Sequence, residues 1–211
     1  MVDDLQTHLQ MPSPKLKRSM RALYSLDPDF ATIEAIAGPL KVRRGEPTFA
    51  ALVRTIVGQQ LSNKAATTIY GRLSLQIEVV PEMLILQGDD ELRSIGLSRA
   101  KIQTCKALAE ALLSGQLSLD FSDRTSNVDI ESSVTKIKGI GPWTAEIFML
   151  FCLERLDVLP AADLAVQVAY QRLKQLPTRP SRLELIDRFS SLSPHRGTAA
   201  HLLWHYYRVL P

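Results

Sequence analysis

Cysteine is scarce in this chain: only Cys105 and Cys152 occur among its 211 residues. Two thiols cannot supply the four ligands of an all-cysteine iron–sulfur cluster. Both lie in apolar helical patterns, which indicates reduced core residues of an intracellular protein. No run of about 18 apolar residues is present, so we expect no membrane-spanning helix. The N-terminus, MVDDLQTHLQ, is acidic and polar, unlike a secretory signal.

Alternation of apolar and polar residues, which is typical of β-strands, is also missing at useful length. Apolar residues instead recur at helical spacing along most of the chain, between candidate capping residues and glycines. The sequence therefore predicts an all-α protein. The predicted helices are Pro47–Gln59, one capped by Ser62, one capped by Asp89 that stops at Gly96, one from Ser98 to Gly115, one from Asn127, Pro142–Leu156, Leu164–Leu176, one capped by Ser181, and one that Ser193 and Pro194 open and that runs to Arg208.

The chain carries little excess charge, with a net charge of +3, but its basic residues are clustered. From Tyr170 to Pro211 there are seven Arg or Lys against two acids, and further clusters lie at 15–21 and 41–44. Basic patches on a nearly neutral protein fit a polyanionic partner such as a nucleic acid. Solvated helix faces are the alternative explanation for any one cluster.

The strongest chemical signal is the segment IKGIGPWTAEIFMLFCLERLDVLPAADLAV, residues Ile137–Val166. Gly139 and Gly141 bracket an isoleucine, and a helix follows directly. Such a turn presents bare backbone N–H groups to a phosphate, because glycine lets another backbone approach closely. Asp163 follows, and a carboxylate behind a phosphate clamp suggests chemistry on DNA. From the residues alone, an ordinary helix N-cap is the favoured interpretation of Asp163.

The string IKGIGPWTA resembles the helix–hairpin–helix of DNA glycosylases, here at about residues 128–156. VRTIVGQQLSNKAA (53–66), SIGLSRAKIQTCKALA (94–109) and SPHRGTAAHLLWHYY (193–207) resemble other segments of the 3-methyladenine DNA glycosylase II family. The resemblance implies a two-lobed helical fold, with residues 1–45 plus 164–211 in one lobe and 46–163 in a central domain. About 45 residues precede the motif region, too few for the N-terminal β-domain of larger bacterial members, so we expect the short form.

The function implied by this resemblance is that of a monofunctional DNA glycosylase. It would flip alkylated purines, of the 3-methyladenine and 7-methylguanine type, out of double-stranded DNA and hydrolyse the N-glycosidic bond. Asp163 matches the family's aspartate, which stabilises positive charge developing on the deoxyribose. Trp143 and Trp204 match tryptophans whose ring faces attract a cationic base, although core packing is the usual fate of a tryptophan. Ile147 stands where the family has a pocket tyrosine, so the pocket should be less aromatic here.

The resemblance also implies DNA contacts. Gln59, Gln60 and Leu61 match the wedge that fills the gap left by a flipped base, the alternative being a polar helix end. The other predicted DNA contacts are Ser62, Lys64, Gly139, Gly141 and Thr144. The family implies no required cofactor, but a structural Na⁺ or K⁺ held by backbone carbonyls at the hairpin. The implied carbonyls are those of Thr135, Ile137 and Ile140.

Three residue types decide the class of chemistry that we expect. Bifunctional members of the superfamily place a nucleophilic lysine where this chain has Trp143, so we expect no lyase activity. His201 and His205 have metal-helix spacing, but no third ligand is evident, and we interpret them as ordinary helix residues. Ser193 looks like a helix cap rather than a nucleophile.

We expect the protein to be a monomer, located in the cytoplasm of a bacterium or the nucleus of a eukaryote.

Two other functions remain open at the level of sequence. One is a non-catalytic helix–hairpin–helix protein that only binds DNA, and the other is a helical scaffold for protein partners. Asp163 discriminates against the first, because a carboxylate facing the phosphate path weakens DNA binding. The glycine turn discriminates against the second, which has no use for it.

Overall fold

The computed structural model describes residues 9–210, and these form an all-α protein, which confirms the predicted class. Within this range there is no β-strand, only an isolated bridge between Gln10 and Val42. No helix in the described part of the chain is long and apolar enough to cross a membrane. Residues 1–8, which include most of the N-terminal stretch interpreted as non-secretory, and residue 211 lie outside the described residues.

The described residues contain twelve α-helices, connected by short turns and loops. They are α1 (Pro14–Leu26), α2 (Asp29–Ala37), α3 (Phe49–Gly58), α4 (Asn63–Gln76), α5 (Pro81–Ile85), α6 (Asp89–Ile95), α7 (Arg99–Leu113), α8 (Asn127–Val134), α9 (Pro142–Phe151), α10 (Leu164–Leu173), α11 (Arg182–Arg188) and α12 (Arg196–Tyr207), with a short 3₁₀ helix at Ser190–Leu192 between the last two.

Contacts divide the chain into two compact units. Among the described residues, the first unit is Gly45–Leu153 and the second comprises residues 9–44 and 154–210. The sequence placed this boundary after Asp163, whereas the segment 154–163 belongs with the terminal helices. The reason is bonding within the second unit, where Asp157 pairs with Arg196 at 2.7 Å. Asp163 therefore lies in the second unit and not in the central one.

Helix α3 is the centre of the first unit. It packs against α4, α7 and α9, while α7 also contacts α5 and α6. Its apolar residues Leu52, Val53, Ile56 and Val57 follow helical spacing and are fully buried. Because α3 is held on several sides, the loop that follows it at residues 59–62 leaves from a rigid support.

Helix α12 plays the same part in the second unit. It packs against α1, α2 and α10. Small buried residues, Gly197, Ala199 and Ala200, let neighbouring helices approach closely, and Leu202 and Leu203 fill the core. The C-terminal helix, which lies within the SPHRGTAAHLLWHYY segment, is therefore a core element of this unit.

Several helix ends differ from the predictions. Helix α9 ends at Phe151 and not near Leu156, because the Phe151 carbonyl accepts the amide of Gly45 (3.0 Å). Helix α10 ends at Leu173 and not at Leu176, because Gln175 adopts a positive φ of 51°.

Two capping predictions were also wrong. The N-cap of α6 is Gly88 and not Asp89, because the side chain of Glu91 accepts the Gly88 amide (2.9 Å). Ser193 is not the cap of α12, since its hydroxyl donates to Asp157 (2.9 Å) and the helix begins at Arg196. Ser62, Ser98 and Ser181 cap their helices as predicted.

Candidate active site

The glycine turn joins α8 to α9 as a hairpin of residues 135–141, which confirms the predicted helix–hairpin–helix. Ile137 and Ile140 point inward and are buried, so the hairpin is anchored by apolar side chains. The amide of Ile140 donates to the carbonyl of Ile137 (3.0 Å). Gly139 and Gly141 are exposed on either side of the anchor. The arrangement leaves two glycine backbones at the surface, next to the N-terminus of α9.

The two glycines are required for different reasons. Gly139 has φ +93°, and a Cβ built on it would lie 1.9 Å from Oγ1 of Thr104 on α7. Both the backbone conformation and the packing therefore demand glycine at position 139. Gly141 has φ −96° and ψ 176°, and a Cβ there would meet nothing within 4 Å. Nothing in the described part of the chain demands glycine at position 141.

Gln59 and Thr144, both predicted to contact DNA, are hydrogen-bonded to each other in the structure. Nε2 of Gln59 donates to Oγ1 of Thr144 (2.9 Å) and to the carbonyl of Gly139 (3.2 Å). Thr144 is only 1% exposed, so its side chain is not available to DNA. The Gln59 side chain is committed to the hairpin and is not free to enter a base stack. Both residues hold the loop after α3 against the hairpin.

The two remaining wedge candidates are at the surface. Gln60 is exposed and has φ +56°, one of three non-glycine residues with positive φ in the described range. Leu61 is 40% exposed. Together they form the tip of the loop between α3 and α4, and they are the residues of the predicted wedge whose side chains project from the unit.

Ser62 and Lys64 follow at the start of α4. The hydroxyl of Ser62 accepts the amide of Ala65 (3.3 Å), so this side chain is a helix cap. Lys64 is exposed in the first turn of the same helix. The helix N-terminus adds partial positive charge to that of the lysine, which suits a phosphate.

Asp163 and Trp204 are brought together within the second unit. Oδ1 of Asp163 accepts the indole N–H of Trp204 (3.0 Å) and the amide of Val166 (3.0 Å). The carboxylate thus caps α10, and the cap and the predicted active-site aspartate are one residue. A carboxylate held by two donors at a helix N-terminus has a fixed orientation, and the helix dipole favours its negative charge.

Trp204 therefore has a further role that the sequence did not predict, since it orients Asp163. Its ring also contacts His201 edge to face, with 5.9 Å between centroids. His201 is buried, and Nε2 of His205 donates to the carbonyl of Gly38 (3.0 Å). No group of three potential metal-ligating side chains occurs in residues 9–210.

Trp143 and Ile147 lie one turn apart on α9, in the first unit, and both are half-buried. Their spacing places them on the same face of the helix. Pro142 precedes them in the first turn of α9, where a missing amide costs nothing. Trp143 thus comes two residues after the exposed Gly141, and Ile147 follows one helix turn later.

The hairpin carbonyls predicted to hold a monovalent cation are those of Thr135, Ile137 and Ile140. The Ile137 carbonyl already accepts the amide of Ile140 (3.0 Å), which uses one of its two lone pairs. Neutral carbonyl oxygens are ligands that hard cations prefer. The donor set is therefore chemically compatible with Na⁺ or K⁺.

Sequence reasoning missed two residues that support this site. Lys101 on α7 donates from Nζ to the carbonyls of Val57 (2.8 Å) and Gln59 (2.9 Å) at the end of α3. Thr104, one turn later, packs beneath Gly139. Both belong to the SIGLSRAKIQTCKALA segment, which resembles a segment of the family but for which no function was predicted. The lysine of the GLSRAK string was the available signal.

Comparison with known proteins gives consistent results. A family model described as HhH-GPD superfamily base excision DNA repair protein matches residues 53–195. The chain is 32% identical over 191 residues to DNA-3-methyladenine glycosylase 1 of Schizosaccharomyces pombe, covering 86% of this chain and 83% of the relative.

Two solved structures are similar to the chain over most of its length. One is the 3-methyladenine DNA glycosylase of S. pombe in complex with abasic DNA, with a TM-score of 0.81, 31% identity, and coverage of 89% of this chain and 95% of that one. The other is a DNA-3-methyladenine glycosidase from Bacillus halodurans, with a TM-score of 0.75, 33% identity, and coverage of 93% and 90%.

Proposed function

Because the chain belongs to the HhH-GPD superfamily of base excision DNA repair proteins, we propose that it is a DNA glycosylase that removes alkylated purines from double-stranded DNA. The observation that carries this proposal is the fixed carboxylate of Asp163, held by the Trp204 indole and the first turn of α10. The similarity to 3-methyladenine glycosylases supports the substrate class, of the 3-methyladenine and 7-methylguanine type.

The chemistry assigned to Asp163 follows from its charge and its fixed position. When the N-glycosidic bond breaks, positive charge develops on the deoxyribose. A negative group that needs no reorientation stabilises this charge better than mobile water does. The same carboxylate can orient the attacking water and accept its proton. Hydrolysis by these groups requires no organic cofactor.

Base recognition is assigned to aromatic faces. A purine alkylated at N3 or N7 is cationic, and an indole face attracts a cation by about 0.5–2 kcal/mol. Trp143 is the candidate in the first unit, with Ile147 beside it on α9. In the second unit Trp204 is fixed by its bond to Asp163, so its ring has one defined orientation. Normal bases are neutral and lack this attraction.

DNA binding is assigned to the hairpin and the loop after α3. The exposed backbones of Gly139 and Gly141 and the side chain of Lys64 would contact phosphates. Gln60 and Leu61 would fill the gap left by the extruded nucleotide. A Na⁺ or K⁺ bound by carbonyls of Thr135, Ile137 and Ile140 would add positive charge near the phosphate. We further propose that the protein acts as a monomer, inside the cell.

Base release from methylated DNA tests the proposal. The full chain is incubated with DNA treated with a methylating agent, and the released bases are separated by chromatography. We expect 3-methyladenine and 7-methylguanine in the soluble fraction, and none from untreated DNA. Tight binding to the methylated DNA with no released base would instead favour a non-catalytic DNA-binding protein, and binding to neither DNA would favour a protein scaffold.

We also propose that the enzyme has no lyase activity. The position after the hairpin where bifunctional members carry a lysine is Trp143, whose indole nitrogen is a donor only. Lys136 and Lys138 precede the turn, and the ammonium of Lys101 is bonded to two carbonyls. Water must therefore attack the sugar and leave an intact abasic site.

Borohydride trapping tests the proposed absence of lyase activity. On a duplex with a single alkylated purine, we expect no covalent protein–DNA adduct and no strand break before alkali treatment. A bifunctional glycosylase on its own lesion duplex serves as the positive control. A trapped adduct that forms as fast as the base is released would contradict the monofunctional assignment.

A further inference from the structure

The loop after α3 has an unusual backbone for its sequence. The amide of Leu61 donates to the carbonyl of Gly58 (3.2 Å), which closes a four-residue turn. The central residues are Gln59, with φ −53° and ψ 128°, and Gln60, with φ 56°. These angles define a type II turn, whose third residue is normally glycine because its φ is positive. Gln60 occupies that position at an energetic cost, since its Cβ disfavours this conformation.

Lys101 supplies a reason why this costly turn persists. Its ammonium donates to the carbonyl of Val57, an unsatisfied group at the helix end, and to the carbonyl of Gln59. In a type I turn the peptide between Gln59 and Gln60 is reversed, because ψ of the second residue changes from about +120° to about −30°. The Gln59 carbonyl would then point away from Lys101. The second bond therefore exists only in the observed turn.

Each of the four carbonyls from Ile56 to Gln59 has a hydrogen-bond partner. The carbonyl of Ile56 accepts the amide of Gln59 (3.2 Å), that of Gly58 accepts the amide of Leu61, and the other two are bound by Lys101. Lys101 is half-buried, and this burial lowers the pKa of its ammonium. A lysine placed there loses hydration, and the two short bonds to carbonyls compensate for that loss.

The side chain of Gln59 fixes the turn from its other side. It bonds to the hairpin through the carbonyl of Gly139 and the hydroxyl of Thr144. The turn is thus held by α7 through the backbone and by the hairpin through a side chain. Only Gln60 and Leu61 remain to project outward, and their direction depends on the orientation of the peptide that Lys101 binds.

We propose that Lys101 is a positioning residue for the wedge: by binding the Gln59 carbonyl it holds the turn in the form that directs Gln60 and Leu61 outward to the gap in the DNA. This inference rests on the proposed function, in which those two residues enter the duplex. Lys101 itself touches no DNA in this scheme, and its effect reaches the substrate through the backbone of the turn.

The test compares Lys101→Met with Lys106→Met on the same helix. Lys106 pairs with Asp89 at 2.5 Å, so its replacement removes an equal charge without touching the turn. Affinity is measured for a duplex with a tetrahydrofuran abasic analogue and for the same duplex undamaged. We expect Lys101→Met to lose tenfold or more of the preference for the abasic duplex, with its affinity for the undamaged duplex unchanged, whereas Lys106→Met keeps the preference.

A folded Lys101→Met protein that prefers the abasic duplex as strongly as the wild type would overturn the inference. A wild-type protein with no preference at all would count against the proposed function instead, so the two failures are distinct. Lys101→Gln is the second variant, should the methionine not be tolerated. The glutamine amide ends one bond short of the lysine ammonium and cannot reach the two carbonyls. Lys101→Gln should therefore show the same loss of preference for the abasic duplex. A Lys101→Gln protein that keeps this preference would overturn the inference equally.

Thermal unfolding of Gln60→Gly gives a readout that is independent of DNA. In the wild-type background, glycine at position 60 adopts the positive φ without steric strain, so Tm should rise by roughly 2–4 °C. In the Lys101→Met or Lys101→Gln background the peptide is free to reverse, and the same change should give no increase. An equal rise in both backgrounds would show that Lys101 does not hold the turn.

Discussion

An Asp163→Asn variant should lose base excision by a factor of roughly 10²–10³ or more while retaining its fold and its affinity for DNA. Asparagine is as good an N-cap as aspartate, so the bond to the Val166 amide persists. Its carbonyl oxygen can still accept the Trp204 indole N–H. What is lost is the negative charge that stabilises the developing sugar cation.

The measurement is the single-turnover release of 3-methyladenine from methylated DNA, with protein in excess. Circular dichroism and the affinity for an abasic-analogue duplex serve as controls for fold and binding. Release at the wild-type rate by Asp163→Asn would remove Asp163 from the mechanism. The carboxylate would then be a helix cap and nothing more, and the acid or base would have to be sought elsewhere.

Trp204→Phe separates the two roles of this tryptophan. The substitution keeps an aromatic face and removes the indole N–H that Asp163 accepts at 3.0 Å. We expect a smaller loss of release rate than for Asp163→Asn, and little further loss when the two changes are combined. Such non-additivity is expected of residues that act as a unit. Additive losses would indicate that Trp204 contributes through base stacking and not through Asp163.

Alanine at the two hairpin glycines should have opposite consequences. Gly139→Ala should lower the free energy of unfolding by about 2–5 kcal/mol, because it combines a positive φ with overpacking. The new Cβ would meet Oγ1 of Thr104 at 1.9 Å. Gly141→Ala should change stability little, since its φ is −96° and the site is open. It should nevertheless weaken DNA binding, because a methyl group would occupy the space of the approaching phosphate.

Denaturant unfolding and DNA affinity, measured on both variants, check this pair. Thr104→Ala in the Gly139→Ala background should recover part of the lost stability, because it removes the atom that clashes. Wild-type DNA affinity in a stable Gly141→Ala protein would contradict a phosphate contact at this turn. Gly139→Ala with wild-type stability would contradict the packing of α7 beneath the hairpin.

The features determined by the sequence itself are local. The all-α class and the hairpin between α8 and α9 follow from helical spacing, from glycine and from serine caps three residues ahead of the amide that they bind. The cap at Asp163 could be predicted because the residue directly precedes an apolar helical run, and its catalytic role was proposed from the resemblance of this short segment to the glycosylase family. These interactions join residues within about one helix turn, so the order of residues specifies them before any helix has packed.

The tertiary structure decided which side chains support the site. Trp204 reaches Asp163 across 41 residues of sequence, Gln59 reaches Thr144 across 85, and Lys101 reaches Gln59 across 42. Helical spacing places a residue on a face of its own helix, but the partner comes from another helix of the same unit, and its position depends on how the helices of that unit pack. For this reason the sequence assigned Gln59 and Thr144 to DNA, whereas in the folded chain they bind each other.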